Sequence, residues 1–362
     1  MPWMLARQCH VTEQHTSTEA DLVVLQSFPT PRPTTNPYVI MLAESLRAVA
    51  GVTVQNFSWR TALAGKYDVF HVHWPEILVS GQNPAKKLAR QGLFVGLILR
   101  LKAKDIPIVR TVHNLELPSG ISRREVALLK WAQRATTLQI TLNRFTPTNE
   151  DEPHEVILHG HYKDWFANYP VPSPQRGFIS YFGFVRRYKG VDSLIEAFKA
   201  LPRNGPLGAL RLVIAGAATN QATADELFTA AGVDERIALE FHFLSDDGLV
   251  NHVGHSELIV LPYRHMHNSG GVLTALSLNR PVLVPANEAN DGLSEEVGPG
   301  WVWTYEGDLT GEAITTALIE LRAGNWTPEP DLSQRAWPQA ARAHVGAYRR
   351  AISLLRGERT SP

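Results

Sequence analysis

A short apolar run, Phe178 to Phe182, predicts a strand that leads directly into a glycine-bounded basic loop and then into a helix. Gly183 opens the loop, Gly190 closes it, and apolar residues at helical spacing extend from Val191 to Phe198. Such a unit favours a parallel α/β sheet, because the helix must carry the chain back over the sheet. The loop aims cations and free backbone N–H groups at one point, which suits a phosphate; a solvated basic turn is the alternative.

The same order of strand and helix recurs along the chain in two blocks. The first block predicts strands at 21–26, 52–57, 69–73, 106–113, 139–142 and 155–159, and the second predicts strands at 177–182, 210–215, 240–243, 257–261 and 281–284. Helices are predicted at 38–50, 84–104, 122–134, 191–198, 273–278 and 334–355. Prolines at 170, 172 and 174 predict a semi-rigid linker between the blocks. These patterns divide the chain into a tail (1–20), a first domain (21–167), a linker (168–176), a second domain (177–329) and a C-terminal helical segment (330–362).

Length and composition agree with a globular protein of two domains. The chain has 362 residues, enough for two domains of roughly 150 residues, each with its own core. Its formal net charge is zero, which argues against a nucleic-acid partner. The single cysteine, Cys9, excludes an internal disulfide and suits a reducing cytoplasm. No apolar run approaches the roughly 20 residues that span a bilayer, and residues 1–20 lack the apolar core of a signal peptide.

A second segment that suits an anion follows about eighty residues after the basic loop. Asn268 and Ser269 form a good helix cap before Gly270 and Gly271, where no Cβ blocks the approach of a ligand. Backbone N–H groups of this first turn, as far as Val272, would point at a bound anion. Two such segments in one α/β unit indicate a ligand that carries a diphosphate.

The basic loop resembles a motif of the GT-B glycosyltransferases, and nearly the whole chain is similar to the retaining glycogen-synthase and mannosyltransferase type. In that family a G…K-G loop holds the donor pyrophosphate, and Gly183, Lys189 and Gly190 stand at its positions. The arginine that usually follows the first glycine is replaced by Phe184. Arg186 takes its place, as in an R-x-Y-K-G variant associated with polysaccharide-assembly enzymes.

The resemblance implies an α/β architecture of two Rossmann-like domains that face each other across a cleft, with a C-terminal helix that crosses back to the first domain. It implies a hexosyltransferase that moves a sugar from a nucleotide diphosphate sugar, either GDP-mannose or a UDP-hexose, to a glycan or lipid-linked acceptor with retention of configuration. Protein cations would offset the charge on the leaving phosphate, so no metal and no other cofactor is expected. The donor-binding residues implied are Gly183, Arg186, Arg187, Lys189, Phe243, Leu244, Ser269, Gly270, Gly271 and Val272.

One departure from the family pattern keeps other functions open. The family often carries two glutamates, whose positions fall on Met266 and Thr274 here, so the usual ribose contact and one transition-state contact are missing. This favours, as an alternative, a non-catalytic subunit that binds a sugar nucleotide or a glycan at a decayed site. An NAD-dependent dehydrogenase is a weaker alternative, because no G-x-G-x-x-G follows the first strand.

Catalytic groups are expected at the carboxyl ends of strands in the first domain. His113 ends one strand, and the family's retaining members often place a histidine there against the donor sugar; a histidine that simply caps the strand is the alternative. Asn114 would assist it on the acceptor side. Glu76, which follows another strand end, is the best acceptor base if the enzyme inverts.

His71 and His73 share one face of a strand by its two-residue period, and with Trp74 they predict a wall that binds the acceptor sugar. A histidine pair also suggests a metal, as do His265 and His267. Each pair lacks a third ligand and neither has a zinc spacing, so no metal site is predicted.

Two further segments have structural interpretations. Gly160, in the turn 159–162, is expected to supply a positive φ where the first domain ends. The helix 84–104 is basic and amphipathic, and its cations are Lys86, Lys87, Arg90, Arg100, Lys102 and Lys104. The favoured interpretation is a crossover helix that packs on its own sheet, as the strand that follows directly indicates. The alternative, which can coexist on the opposite face, is contact with an anionic membrane surface, and it would hold a cytoplasmic protein at the inner face of the membrane.

Overall fold

The computed structural model describes residues 21–357 except residues 82, 119, 150, 205, 206, 265 and 325. The predicted tail 1–20 with Cys9, and His265 of the second histidine pair, lie outside the described residues.

The described residues form two parallel six-stranded sheets with helices on both faces. The first sheet contains β1 (Leu22–Gln26), β2 (Val52–Gln55), β3 (Val69–Val72), β4 (Ile108–Val112), β5 (Leu138–Thr141) and β6 (His154–Val156). The second contains β7 (Phe178–Phe182), β8 (Arg211–Ala215), β9 (Ile237–Glu240), β10 (Leu258–Val260), β11 (Val282–Pro285) and β12 (Val302–Tyr305). Their presence confirms the predicted fold class of two Rossmann-like α/β domains.

Helices connect the strands in both halves of the chain. They are α1 (Pro37–Arg47), α2 (Trp59–Ala64), α3 (Glu76–Val79), α4 (Pro84–Ala103), α5 (Arg123–Arg134), α6 (Lys163–Phe166), α7 (Val191–Lys199), α8 (Gln221–Ala231), α9 (Asp246–His255), α10 (Gly270–Ser277), α11 (Glu288–Val297), α12 (Gly311–Ala323) and α13 (Trp337–Arg356). Their starts follow local sequence signals: Asn36 caps α1 ahead of a proline, and Ser122 forms a capping box with Glu125 at α5.

The order of strands identifies the place where each sheet can bind a ligand. The first sheet has the order β2-β1-β3-β4-β5-β6, and the second has the order β12-β11-β10-β7-β8-β9. The order therefore reverses between β1 and β3 in the first sheet and between β7 and β10 in the second. Ligands of open parallel sheets bind beyond the carboxyl ends of the strands at such a reversal.

Three predicted strands differ from the observed ones. β9 ends at Glu240, where the prediction has a strand begin, and β6 ends at Val156, short of the predicted 155–159. β12 was not predicted at all. All three are edge strands or lie next to loops with large apolar residues such as Phe241 and Phe243, so the local pattern of apolar residues does not mark their bounds.

The C-terminal helix α13 packs against α1 and against β4 and β5 of the first sheet. Tyr348 on this helix forms a hydrogen bond of 2.7 Å from its hydroxyl to Nδ1 of His71. Arg350 donates to the carbonyl of His154. The core of the first domain therefore contains a helix from the far end of the described chain.

The turn that ends the first domain corrects the expectation for Gly160. Gly160 does not adopt a positive φ. Instead, a Cβ at this position would lie 2.4 Å from the ring of Trp337, whose Nε1 donates to the carbonyl of His161. Glycine is needed here because a tryptophan at the start of α13 packs directly on the backbone.

Candidate active site where the two sheets meet

Lys189 is held over a glycine at the carboxyl end of β7. Its Nζ lies 3.2 Å from the hydroxyl of Tyr263 and 4.6 Å from the centre of that ring. A Cβ on Gly183, which has a φ of 107°, would lie 3.7 Å from this ammonium. Burial, and next to it the charge of Arg186, lower the pKa of Lys189 to about 8. A half-buried cation with no carboxylate partner among the described residues is well suited to hold an anion.

The loop that carries Lys189 is pressed against the end of β10. Gly190 closes the loop with a φ of 63°, and a Cβ there would lie 2.1 Å from the carbonyl oxygen of Pro262. Only glycine allows both this backbone conformation and this close approach. The sequence-predicted loop therefore lies at the strand-order reversal between β7 and β10.

The first turn of α10 lies beside Lys189. Ser269 is its N-cap and accepts a hydrogen bond from the backbone N–H of Val272 at 3.2 Å. The N–H groups of Gly270 and Gly271 begin the helix, where a helix offers no acceptor of its own. A Cβ on Gly271 would lie 3.1 Å from the hydroxyl of Tyr263, the group that also contacts Lys189. The structure thus brings together the two segments predicted to bind one diphosphate.

The remaining predicted donor-binding residues lie at different distances from this point. Arg186 is exposed, with its guanidinium 5.8 Å from the ring of Phe184. Arg187 is exposed and pairs with Glu226 on α8 at 3.2 Å, and its donor contact remains a prediction. Phe243 and Leu244 follow β9 in a loop, and the Phe243 side chain is 60% exposed. The contact of Phe243 and Leu244 with the donor remains a prediction.

His113 follows β4 and reaches the second domain through its neighbours. The indole of Trp74 stacks on its imidazole, with ring centres 4.2 Å apart and planes at 21°. Asn268, the residue before the α10 cap, donates to the carbonyl oxygens of Val112 and His113 at 3.5 Å. His113 and the first turn of α10 are therefore adjacent, although 155 residues separate His113 from Asn268.

Two interdomain contacts involve residues that the sequence analysis did not identify. Asn143, which follows β5, donates to the side-chain oxygen of Asn268 at 2.7 Å and to the carbonyl of His267 at 3.1 Å. Thr146 contacts Nε2 of His267 at 2.8 Å. Asn143 lies two residues after the end of β5, and His113 lies one residue after the end of β4, so the rule for strand ends could have found Asn143 as well.

His71 and His73 lie beneath the site, and their predicted contact with an acceptor is corrected. His71 is fully buried between Tyr348 and Thr111, with its Nε2 2.8 Å from Thr111 Oγ1. His73 is 2% exposed, and its Nδ1 lies 3.2 Å from Nε2 of His113. The alternation along β3 correctly places both on one face, but α1 and α13 cover that face. Trp74, which is half-buried, has one ring face on His113, and its sugar contact remains a prediction.

Glu76, as an acceptor base, and Asn114, as an acceptor contact, remain predictions. Glu76 begins α3 and is half-buried; burial raises the pKa of its carboxyl, and a backbone hydrogen bond and the charge of Arg110 oppose that shift. No described contact joins Glu76 to His113. Asn114 is exposed directly after His113.

The histidines do not combine into a metal site within the described ranges. No group of three or more His, Cys, Asp or Glu side chains there is arranged to hold a metal ion. Both ring nitrogens of His71 are used, on Thr111 and Tyr348, and both of His73 are used, on Gln26 and His113. His267 contacts Thr146. The described side chains instead place a cation and a helix N-terminus beside a neutral imidazole, because burial keeps the pKa of His113 well below its usual value.

Comparison with known proteins identifies relatives of this architecture. A family described as Glycosyl transferases group 1 matches residues 176–322, the part that carries the Lys189 loop and α10. A protein of Xanthomonas campestris pv. campestris named GDP-mannose:glycolipid 4-beta-D-mannosyltransferase is 39% identical over 331 residues, which cover 91% of this chain and 93% of that protein.

Solved structures share the fold at much lower identity. Sucrose-phosphate synthase from Thermosynechococcus elongatus superposes with a TM-score of 0.57 at 14% identity, and covers 93% of this chain and 98% of its own. The catalytic domain of starch synthase IV from Arabidopsis thaliana, bound to ADP and acarbose, gives a TM-score of 0.66 at 12% identity, and covers 92% of this chain and all of its own. No helix in the described part of this chain is long and apolar enough to cross a membrane.

Proposed function

This chain belongs to the glycosyltransferase family that includes the Xanthomonas mannosyltransferase, and from that membership we propose that it transfers mannose from GDP-mannose to a lipid-linked glycan. The observation that carries the proposal is the contact of Asn268 with the end of β4, which sets the diphosphate-binding turn of α10 beside His113. A donor held by its diphosphate would therefore present its sugar to polar groups of the first domain.

The protein itself would offset the charge of the leaving diphosphate. Lys189 would pair with one phosphate, and the first N–H groups of α10 would donate to the other. Fixed donors of this kind stabilise charge that develops in the transition state, as a divalent metal does in other transferases. We therefore propose that transfer is metal-independent, and that turnover survives an excess of chelator.

The configuration of the product follows from the linkage made by the relative. Its name specifies a β linkage, and the mannose of GDP-mannose is α-linked. Conversion of one into the other inverts the anomeric carbon, which a single displacement achieves when a base takes the proton of the acceptor hydroxyl. In place of the retention implied by the resemblance, we propose inversion.

The test is to incubate the purified chain with GDP-mannose, UDP-glucose or UDP-galactose, and with a lipid-linked oligosaccharide. We expect transfer from GDP-mannose, an undiminished rate in excess chelator, and a β-mannoside by NMR. Transfer from a UDP-hexose alone would overturn the donor, and an α-mannoside would overturn inversion. Binding of the nucleotide sugar without transfer to any acceptor would favour the non-catalytic alternative.

We also propose that α4 holds the protein on an anionic membrane surface, where such an acceptor is found. Its inner face, which includes Phe94, Leu97 and Leu101, packs on the first sheet, whereas Leu88 and Leu99 are 58% and 54% exposed. These two leucines are eleven residues apart and share one side of the helix.

The cations of α4 also divide into those with partners inside the protein and those exposed to solvent. Lys87 pairs with Glu125, and Arg100 donates to the Tyr67 hydroxyl, so both cations are held in contacts within the protein. Lys86 and Lys102 are both exposed, and Lys102, three residues after Leu99, lies on the side of the outer leucines. Exposed leucines with a neighbouring lysine are typical of a helix that lies in the membrane interface.

Sedimentation with vesicles tests this surface. We expect binding to vesicles that contain phosphatidylglycerol, and a loss of roughly tenfold or more in Leu88→Ser/Leu99→Ser, since a buried leucine contributes about 1.5 kcal/mol or more. Ile319→Ser, at an exposed position on α12, is the matched control and should bind as the unchanged protein does. Equal binding by both variants would exclude α4 as the contact.

A further inference from the structure

A buried line of three polar side chains crosses the strand-order reversal of the first sheet. Oε1 of Gln26, at the end of β1, lies 2.9 Å from Nε2 of His73, and Nδ1 of His73 lies 3.2 Å from Nε2 of His113. Gln26 is fully buried. We propose that Gln26, acting through His73, fixes the tautomer of His113 that keeps Nδ1 free as the base for the acceptor hydroxyl. This inference rests on the proposed transfer reaction and assigns its base to His113 in place of Glu76.

The proton positions follow from the chemistry of each group. An amide oxygen only accepts, so the proton of neutral His73 lies on Nε2 and its Nδ1 keeps a lone pair. Nε2 of His113 must then donate to that lone pair, which leaves Nδ1 of His113 without a proton. Nδ1 has no partner among the described residues, so its lone pair is left for a ligand.

The Gln26 amide places its oxygen, and not its nitrogen, on His73. The amide nitrogen acts on the Tyr348 hydroxyl, where it opposes part of the large rise that burial causes in the pKa of Tyr348. The two atoms are beyond hydrogen-bond geometry, so this nitrogen is buried without a partner. Reversal of the amide would turn its nitrogen towards His73 and reverse every proton along the line, which would make Nδ1 of His113 a donor.

The surroundings keep both imidazoles neutral. Burial, and after it the neighbouring histidines, hold the pKa of His73 and of His113 well below the usual value. The titratable and charged groups that act on His113 are His73, His159 and Arg110, and Tyr38 of α1 contacts its ring at 5.2 Å between centres. None of these described groups is an acid that would stabilise an imidazolium before reaction.

The transfer step balances with His113 as the base. The acceptor oxygen forms its bond to the anomeric carbon as its proton passes to Nδ1 of His113, and the bond from that carbon to the diphosphate oxygen breaks with its electron pair on the diphosphate. The diphosphate leaves with the charge that Lys189 and α10 offset. The imidazolium then returns its proton to water. Gln26 and His73 are positioning residues, since they act only through His113.

Nitrogen NMR of the whole chain, labelled with 15N in its histidines, tests the tautomer without any need for activity. The signals of His113 are assigned as those lost in His113→Ala. At pH 7.5 we expect a protonated Nε2 and an unprotonated Nδ1. A proton on Nδ1 would overturn the inference even if the protein transfers mannose, whereas the expected tautomer without transfer would place the failure in the proposed function.

Substitution of the amide tests its control over that tautomer. In Gln26→Leu the line loses its acceptor, and we expect a mixture of both His113 tautomers with kcat lower by roughly tenfold or more and the donor KM unchanged. Gln26→Glu keeps an oxygen acceptor and should retain the single tautomer. Gln91→Leu, which removes a buried glutamine on α4, is the matched control and should change neither quantity. A single unchanged tautomer in folded Gln26→Leu would remove Gln26 from the role.

Discussion

Lys189 is a cation kept where little water reaches it, and its partner in the free protein is a phenol instead of a carboxylate. A lysine in this position is poorly compensated until an anion arrives. Its pKa of about 8 means that the charge required for binding begins to disappear in mildly alkaline solution.

Removal of the loop cations should weaken binding of the donor without unfolding the protein. We expect Lys189→Ala and Arg186→Ala each to cost about 1.5–3 kcal/mol in affinity for the nucleotide sugar, the range for hydrogen bonds to charged groups. Calorimetry measures this, with Lys199→Ala as the control, because Lys199 pairs with Glu196 on the exposed side of α7. Full affinity in both loop variants would remove the loop from the donor site.

The affinity should also depend on pH in a direction set by Lys189. Since the folded, unliganded protein loses the Lys189 proton above a pKa of about 8, affinity for a nucleoside diphosphate should fall as the pH rises from 7.5 to 9.5. Calorimetric titrations at several pH values measure the fall. Lys189→Arg should bind with little change over this range, and an equally steep fall in that variant would assign the effect to another group.

Substitution of His113 should lower turnover without weakening the binding of the nucleoside diphosphate. We expect His113→Ala to keep nucleoside diphosphate affinity nearly intact and to lower turnover by roughly 10²-fold or more, the scale for one positioned polar group. Melting temperature, affinity and turnover are to be measured on the same preparation. A histidine that only caps β4 would show a lower melting temperature with near-normal turnover of the folded fraction.

At the residue scale, local patterns predicted the positions that depend on nearby sequence. Lys189 and Ser269 could be proposed as donor-binding residues because a strand, a turn and a helix start follow one another within a few residues. His71 was assigned to the acceptor wall wrongly, because alternation gives a side chain's face but not what covers that face. For His71 the cover is Tyr348, 277 residues away.

Among the elements, the turn between β7 and α7 depends most strictly on glycine. Gly190→Ala should destabilise the fold by about 2 kcal/mol or more, since it combines a left-handed backbone, worth about 1–2 kcal/mol, with contact against the Pro262 carbonyl. Gly208→Ala has a similar φ of 79° and open space around it, so it isolates the backbone cost. Urea unfolding compares the two, and equal losses would mean that the Pro262 contact is unimportant.

Elements that are buried on both faces were the easiest to predict. β10 is a short continuous apolar run and β3 is apolar except for the buried His71, and the positions of both strands agree with the prediction within one or two residues. β12 was missed because it is an edge strand of four residues in which only Val302 and Tyr305 are buried, so its pattern resembles that of a loop. The contacts of Asn143 with Asn268 could not be predicted, because they depend on how the two sheets are oriented.

For the molecule as a whole, buried neutral histidines should make the fold sensitive to acid. Burial lowers the pKa of His159 and of His344 from 6.5 to about 4. Below pH 6.5 the unfolded chain takes up protons that the folded protein excludes, so the free energy of unfolding falls as the pH drops from 6.5 towards 4. Each of these two residues contributes about 3 kcal/mol to that fall, by the relation between pKa shift and stability.

Urea unfolding at pH 7.5, 6 and 5 measures this loss. His344→Phe should flatten the dependence on pH, because His344 lies buried on α13 with an Nε2 that has no partner. His242→Phe, at an exposed position after β9, is the control and should keep the slope of the unchanged protein. An unaltered slope in His344→Phe would show that other groups set the sensitivity to acid.

The return of α13 to the first sheet also has a consequence for synthesis on the ribosome. Residues 21–167 are made first, yet α1 covers only part of the sheet face that holds His71 and His73, and the rest stays uncovered until Tyr348 and its helix emerge. The second domain has its whole sheet by Tyr305 and can fold earlier, although it is translated later. The nascent first domain therefore keeps part of an apolar, histidine-containing surface exposed until α13 has been synthesised.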